Sequence, residues 1–117
     1  MKPIFYCYPK CSTCKKAQSA LDNHKVEYEY KDIKLSNPDF DTLKKVYELS
    51  GLPIKKLFNT SGNVYKERKL KDVLPVLTDD EALQLLSTDG MLVKRPILIF
   101  NDIAYVGYNA DVYEAFL

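Results

Sequence analysis

Apolar positions near the start of the chain change their spacing twice. Residues 3–8 are a short segment rich in aromatic and β-branched side chains, which is typical of a buried strand. After Pro9 the apolar residues recur at helical spacing, and Cys11-Ser12-Thr13 can cap the helix. The members of this stripe are Cys14, Ala17 and Leu21. Residues 26–31 then alternate between apolar and charged side chains, as in a half-buried strand. The pattern predicts a β-α-β unit of about 30 residues with parallel strands.

Helical signals dominate the middle of the chain. A helix is predicted from Ser36-Asn37-Pro38 to a C-terminal cap at Gly51. Shorter helical turns are expected around Pro53–Phe58 and Leu70–Leu74, separated by the loop at residues 59–63. The stripe of the longer helix is Phe40, Leu43 and Tyr47.

A second strong helix signal is the sequence Thr78-Asp79-Asp80-Glu81, which matches a capping box. The helix that follows should end at Gly90. Its inward residues are expected to be Ala82, Leu83, Leu85 and Leu86.

The last third of the chain predicts a hairpin and a helix. Residues 97–100 and 103–106 are apolar, and the two residues Asn101-Asp102 between them suit a tight turn. Asn109 can cap a final helix that reaches Leu117. The whole order is β-α-β, a helical insert at about residues 38–90, then β-β-α. It predicts an α/β thioredoxin-like fold, with a four-stranded mixed sheet in a single domain over residues 1–117.

Composition narrows the function classes. Hydrophobic residues make up 46% and charged residues 28%, as in an ordinary globular protein. The net charge of +1 comes from 17 basic and 16 acidic residues, so we expect no direct binding of nucleic acid. No apolar run approaches the ~20 residues that span a bilayer, and no signal peptide is visible. We expect a cytoplasmic protein without a membrane partner.

Three cysteines carry the candidate chemistry, and two of them form the motif Cys11-Ser12-Thr13-Cys14. A C-x-x-C motif between a strand and a helix is typical of thiol redox sites. A thiol reacts as its thiolate, which a helix N-terminus stabilises, so Cys11 is the expected nucleophile. Cys14 lies one turn further along the same face and suits the resolving role, in which it attacks a mixed disulfide formed at Cys11.

Two alternatives remain for these thiols. Both could be small core residues without chemistry. A zinc site would need Cys7 and His24 as further ligands, but His24 lies at the far end of the helix, roughly 15 Å along its axis. We therefore predict no metal site and interpret Cys7 as a buried strand residue.

Arg95-Pro96 precedes the third predicted strand. Sequence alone favours a trans bond there, because only about 5–6% of X–Pro bonds in folded proteins are cis. Arg95 is either an exposed charge or a contact for an anion or substrate.

Four segments resemble the arsenate reductase (ArsC)/Spx/MgsR family over the whole chain. The first is Tyr8-Pro9-Lys10-Cys11-Ser12-Thr13-Cys14, the second Phe58-Asn59-Thr60-Ser61-Gly62, the third Lys94-Arg95-Pro96-Ile97 and the fourth Val106-Gly107-Tyr108-Asn109. The resemblance implies a thioredoxin-like fold with a helical insert, a reactive Cys11 and a cis bond before Pro96.

The resemblance also bears on anion binding. Glutathione- and glutaredoxin-dependent arsenate reductases hold the oxyanion with three arginines, of which this chain matches only Arg95. The other two positions fall on Asn59 and Tyr108. The resemblance therefore implies that the set of oxyanion-binding arginines is incomplete and that arsenate is a poor substrate of this protein. The candidate substrate-binding or anion-binding residues are Arg95, Pro96, Ser12, Thr13 and Asn59.

Two functions follow from this resemblance. The first is a thiol-disulfide oxidoreductase with no bound cofactor, whose partner and electron donor is glutathione, another small thiol, or a glutaredoxin or thioredoxin. The second is a redox-sensing regulator like Spx, which has a C-x-x-C switch and binds the α subunit of RNA polymerase. Spx continues with a basic tail beyond the position of Leu117, which favours the reductase-related branch. A third alternative is a catalytically silent member that only binds a partner.

Overall fold

A four-stranded sheet with strand order β2-β1-β3-β4 organises the computed structural model, which describes residues 2–116. β1 pairs in parallel with β2 and antiparallel with β3, and β3 pairs antiparallel with β4. The strands are β1 (Ile4–Cys7), β2 (Glu29–Asp32), β3 (Ile97–Phe100) and β4 (Ile103–Val106). The predicted mixed sheet and the thioredoxin-like order of its elements are confirmed.

Helices cover both faces of the sheet. Successive side chains of a strand point to opposite faces, so Phe5 and Cys7 pack with α1 and α6, whereas Tyr6 packs with the helices between β2 and β3. The helices are α1 (Ser12–Asn23), α2 (Phe40–Ser50), α3 (Asn63–Glu67), α4 (Leu70–Val73), α5 (Asp79–Ser87) and α6 (Ala110–Phe116). Three short 3-10 turns lie at Ile54–Leu57, Leu74–Val76 and Gly90–Leu92. No helix among residues 2–116 is long and apolar enough to cross a membrane.

Local capping signals are confirmed where side chains reach the backbone. Thr78 accepts a hydrogen bond from the Glu81 amide, and the Glu81 carboxylate accepts one from the Thr78 amide, which completes the capping box. The Asn109 side chain accepts hydrogen bonds from the amides of Asp111 and Val112 at the start of α6. The predicted stripe of α1 is buried as well, namely Cys14, Ala17 and Leu21.

The second strand begins later than predicted. The alternation covers residues 26–31, but β2 spans only Glu29–Asp32. In the parallel register the first residue of β1, Ile4, pairs with Glu29. Residues 26–28 precede this first pair and therefore have no strand residue opposite them. Lys25 has a left-handed backbone (φ 56°), and the Val26 amide donates to the Leu21 carbonyl. Residues 25–26 therefore terminate α1, and pairing with β1 begins only at Glu29.

Boundaries in the insert differ from the predictions in three places. α2 begins at Phe40, since Asp39 is its cap and accepts a hydrogen bond from the Thr42 amide, so Pro38 precedes the helix. Residues 63–67 form α3, a helix that the pattern does not predict. α5 ends with Thr88 as its cap, and Gly90 instead opens a 3-10 turn. The C-terminal cap of α2 at Gly51 is confirmed by its φ of 67°.

Candidate active site

Cys11 occupies the N-cap of α1, immediately after the turn that follows β1. Its amide donates to the Tyr8 carbonyl at 2.9 Å, and its carbonyl accepts from the Lys15 amide at 3.1 Å. Within the described part of the chain, no side chain caps this helix end. The partly exposed Cys11 therefore lies at the positive end of the helix dipole, beside the amides of the first turn.

Cys14 is the buried member of the motif. Its Sγ accepts a hydrogen bond from the Tyr8 amide at 3.3 Å, and its side chain is fully buried. A hydrogen bond with the Cys7 sulfur, together with burial, raises the pKa of the Cys14 thiol well above its ordinary value. Cys14 is thus held as a thiol directly beneath Cys11.

A pocket of about 470 Å³ opens beside Cys11. One wall is the start of α1, and the facing walls come from the insert and from the segment before β3. The lining residues are Cys11, Thr13, Asn59, Ser61, Gly62, Asn63, Val64, Met91, Lys94 and Arg95. Most of them carry polar groups, which suits a polar or charged ligand.

Backbone pairing between two distant segments holds the far wall of this pocket. Phe58 and Val93 form an isolated β-bridge, in which the Asn59 amide donates to the Leu92 carbonyl at 2.8 Å. The Lys94 amide donates to the carbonyl of Leu57, also at 2.8 Å. This pairing fixes the loop at residues 59–63 beside Arg95.

The loop is closely packed at Gly62. A Cβ atom on this residue would lie 2.7 Å from the Asn59 Nδ2 atom, closer than real side chains approach. The Asn59 Oδ1 atom accepts a hydrogen bond from the Ser61 hydroxyl at 3.4 Å. Glycine at this position therefore leaves room for the Asn59 side chain at the rim of the pocket.

Arg95 brings a guanidinium group to the wall of the pocket. Its Nε and Nη1 atoms are buried and have no hydrogen-bond partner within residues 2–116. The guanidinium Cζ lies 5.1 Å from the centre of the Tyr8 ring, which supports the side chain from one side. A guanidinium with free donors matches a carboxylate or another oxyanion, which can accept two parallel hydrogen bonds.

The peptide bond between Arg95 and Pro96 is cis. The expectation of a trans bond from sequence alone is wrong, whereas the cis bond implied by the family resemblance is found. Pro96 is buried and does not line the pocket.

The structure brings four of the candidate residues to one pocket. Cys11 and Thr13 come from α1, Asn59 from the insert, and Arg95 from the segment before β3. Ser12 is exposed on the first turn of α1 and is not part of the lining.

Tyr108, the third position of the family clamp, lies elsewhere. Its ring packs edge-on against Tyr113 with centroids 5.0 Å apart, and it lines a separate depression beside His24 and Glu114. The sequence pattern does not assign Lys94, Ser61 or Asn63 to the site. The position of Lys94 next to Arg95 is the sequence signal that could have placed it in the site. Ser61 and Asn63 reach the pocket only through the fold of the loop, so no local sequence signal marks them.

The sequence of the chain matches a known protein family over most of its length. Residues 6–116 match the ArsC family. The chain belongs to this family. YusI, an uncharacterized protein of Bacillus subtilis, is 45% identical over 97% of both chains. The regulatory protein MgsR of Bacillus subtilis is 30% identical over 90% of this chain and 82% of its own length.

A solved structure extends the comparison to the fold. The crystal structure of a possible arsenate reductase from Streptococcus mutans UA159 superposes with a TM-score of 0.90. It is 42% identical, and the match covers 98% of each chain. Members of one fold family thus include a protein named as a regulator and one named as a reductase.

Proposed function

We propose that this ArsC-family chain is a thiol-disulfide oxidoreductase in which Cys11 is the nucleophile and Cys14 the resolving thiol. The observation that carries the proposal is the pairing, in one pocket, of a cysteine at a helix N-cap with the guanidinium of Arg95. Such an arrangement stabilises a thiolate and holds an anionic substrate next to it.

The proposed cycle passes two electrons from an external thiol, through Cys11 and Cys14, to a substrate disulfide. The Cys11 thiolate attacks a substrate disulfide, so that a mixed disulfide forms and the first substrate thiolate leaves. Cys14 then attacks the Cys11 sulfur, which releases the second substrate thiolate and leaves a Cys11–Cys14 disulfide. An external thiol, namely glutathione, a glutaredoxin or a thioredoxin, reduces this disulfide and restores the enzyme.

The pocket favours a substrate that carries an anionic group. Arg95 and Lys94 both line it, and the described lining contains no carboxylate. A carboxylate on the substrate, such as the one in a γ-glutamyl or cysteinyl peptide, can accept hydrogen bonds from the Arg95 guanidinium while its disulfide approaches Cys11. Thr13 and Asn59 can add neutral hydrogen bonds at the same wall.

A trapping experiment tests this function. In Cys14→Ser the mixed disulfide at Cys11 cannot be resolved internally, so we expect substrates to accumulate covalently on Cys11. Mass spectrometry of trapped adducts identifies the substrate and the modified cysteine. Cys11→Ser/Cys14→Ser is the matched control and should trap nothing. Adducts confined to Cys7, or none at all under oxidising conditions, would contradict the proposal.

A regulator is the second candidate, and the observation that favours it is the identity with MgsR over most of the chain. In this function the Cys11–Cys14 disulfide would switch binding to the α subunit of RNA polymerase, as the resemblance to Spx implies. Purified reduced and oxidised protein can be tested for capture of the C-terminal domain of that polymerase subunit. Capture of this domain that depends on the redox state and is lost in Cys11→Ser would support the regulator function. If neither state captures the domain, the oxidoreductase function is favoured.

A further inference from the structure

Tyr8 lies behind the wall of the pocket and is not one of the residues that line it. It directly follows β1, and the guanidinium Cζ atom of Arg95 stands over its ring, 5.1 Å from the centre. A guanidinium within about 6 Å of an aromatic centroid is attracted by the electron-rich face of the ring. The Tyr8 side chain can therefore influence a substrate through Arg95 rather than by direct contact.

The Arg95 side chain has no polar partner that holds it at the pocket. No ion pair among residues 2–116 involves Arg95. Its Nε and Nη1 atoms are buried without a hydrogen bond, which leaves Nη2 as the guanidinium nitrogen that is open to a substrate. The neighbouring Lys94, which also lines the pocket, adds charge of the same sign. The contact with the Tyr8 ring is thus the attraction that favours this position of the guanidinium.

The expected behaviour of Arg95 without the ring follows from solvation. Buried donors that lack a partner give up the hydrogen bonds that water would offer them. A long side chain can regain these bonds when it rotates away from the pocket wall into solvent. The affinity for an anion then falls in proportion to the fraction of molecules in which Arg95 is still in place.

The backbone of Tyr8 fixes the position of its ring relative to the two thiols. The Tyr8 carbonyl accepts a hydrogen bond from the Cys11 amide at 2.9 Å, and the Tyr8 amide donates to the Cys14 Sγ atom at 3.3 Å. One residue therefore connects both cysteines with the guanidinium. Because these hydrogen bonds use only backbone atoms of Tyr8, replacement of the ring leaves their donor and acceptor in the chain.

We propose that Tyr8 is a positioning residue, whose ring holds the Arg95 guanidinium at the pocket and thereby sets the preference of the site for anionic disulfides. This inference rests on the proposed function. Cys11 forms the bond to the substrate sulfur, and Arg95 contacts the anionic group. The ring determines how often Arg95 is in place, so its loss slows the reaction of anionic substrates and spares neutral ones.

Two coloured aromatic disulfides separate charge from reactivity. Dithiobis(nitrobenzoate) carries carboxylates, whereas dithiodipyridine is neutral at neutral pH. The Cys11 thiolate attacks one sulfur of either reagent, the disulfide bond of the reagent breaks, and stopped-flow absorbance follows the released thiolate or thione. In Tyr8→Leu we expect release from dithiobis(nitrobenzoate) to slow by about 2- to 30-fold, the range that a cation–π contact allows. Release from dithiodipyridine should keep the wild-type rate.

Three further variants assign this effect to the ring and to Arg95. Tyr8→Phe is the matched control, because it keeps an aromatic ring and should keep both rates. Replacement of Tyr8 by pentafluorophenylalanine preserves the shape of the ring but reverses its quadrupole, so it should slow only the carboxylated reagent, independently of any folding defect in Tyr8→Leu. In Tyr8→Leu/Arg95→Gln the loss should equal that of Arg95→Gln alone, because the ring acts through the arginine.

Three outcomes would overturn the inference. They are equal rates or equal slowing of the two reagents in Tyr8→Leu relative to the wild type, wild-type rates with pentafluorophenylalanine, and a double variant whose loss is the product of the two single losses. The proposed function fails in a different way. It would be contradicted if the wild type released nothing from either reagent, or if release persisted in Cys11→Ser.

Discussion

At the scale of single residues, Arg95 carries the expected preference for anionic substrates. Its Nε and Nη1 donors are buried without a partner among the described residues, and a hydrogen bond to a charged group is worth about 1.5–3 kcal/mol. Arg95→Gln leaves a neutral bond of about 1 kcal/mol, so attack on dithiobis(nitrobenzoate) should slow by about 2- to 30-fold. Attack on the neutral hydroxyethyl disulfide should change little. Rates of thiol release with both reagents check this, and equal losses with the two would show that Arg95 acts on the fold rather than on charge.

Arsenate should be a poor substrate because the pocket has one arginine where the reductases that it resembles have three. Asn59 can offer only a neutral amide, so Asn59→Arg exchanges a bond of about 1 kcal/mol for one of about 1.5–3 kcal/mol. We expect arsenate-dependent oxidation of glutathione, assayed with glutaredoxin, to rise about 2- to 30-fold.

Tyr108→Arg is the matched control for this gain, because Tyr108 packs on Tyr113 outside the pocket. Its arsenate activity should equal that of the wild type. Efficient turnover of arsenate by the wild type, with no gain in Asn59→Arg, would show that the site reduces arsenate by a different anion contact.

At the scale of elements, two glycines of the insert differ in what a methyl group would meet. A Cβ on Gly90 would lie 1.7 Å from the Ile33 carbonyl oxygen, so Gly90→Ala must push apart the end of β2 and the segment before β3. We expect the free energy of unfolding to fall by about 3 kcal/mol or more. A Cβ on Gly51 would meet no atom within 4 Å, but the backbone there is left-handed with a φ of 67°. Gly51→Ala should therefore lower the free energy of unfolding by only about 1 kcal/mol.

Urea denaturation of the two variants makes this comparison directly. Both variants replace a glycine with alanine, but only the Cβ at Gly90 would clash with a neighbouring atom. Gly51→Ala is therefore the control for the effect of replacing any glycine. Equal losses would mean that the segment around Gly90 adjusts freely and does not constrain the site.

The sequence predicts elements best where a signal is local. The capping box at Thr78 and the Asn109 cap depend on side chains that reach amides two or three residues away, so the pattern contains the whole interaction. Residues 26–28 alternate as a strand does, but their pairing depends on where β1 begins. α3 has only five residues, too few for a helical period to emerge.

The candidate site is predictable only in part, for the same reason. Cys11 and Cys14 follow from a motif within one helical turn, and Arg95 from its place before a proline. Their meeting with Asn59 requires the bridge between Phe58 and Val93, which joins segments 35 residues apart in sequence and leaves no local pattern. The contact of Cys7 with Cys14 likewise depends on which face of β1 packs under α1.

At the scale of the whole molecule, the fold separates the thiols by access. The turn after β1 leaves Cys11 at the pocket, whereas Cys14 on the inward face of α1 and Cys7 in β1 are both buried. This difference in access supports the proposed attack by Cys11 and resolution by Cys14.

The disulfide that forms on mild oxidation tests this assignment most directly. Protein treated with a slight excess of oxidised glutathione, alkylated and digested, should yield the Cys11–Cys14 bridge as the dominant product, with Cys7 recovered as an alkylated thiol. Dithiothreitol should reverse the bridge, and Cys14→Ser should instead carry glutathione on Cys11. A dominant bridge that contains Cys7, or glutathione recovered on Cys14, would contradict the account.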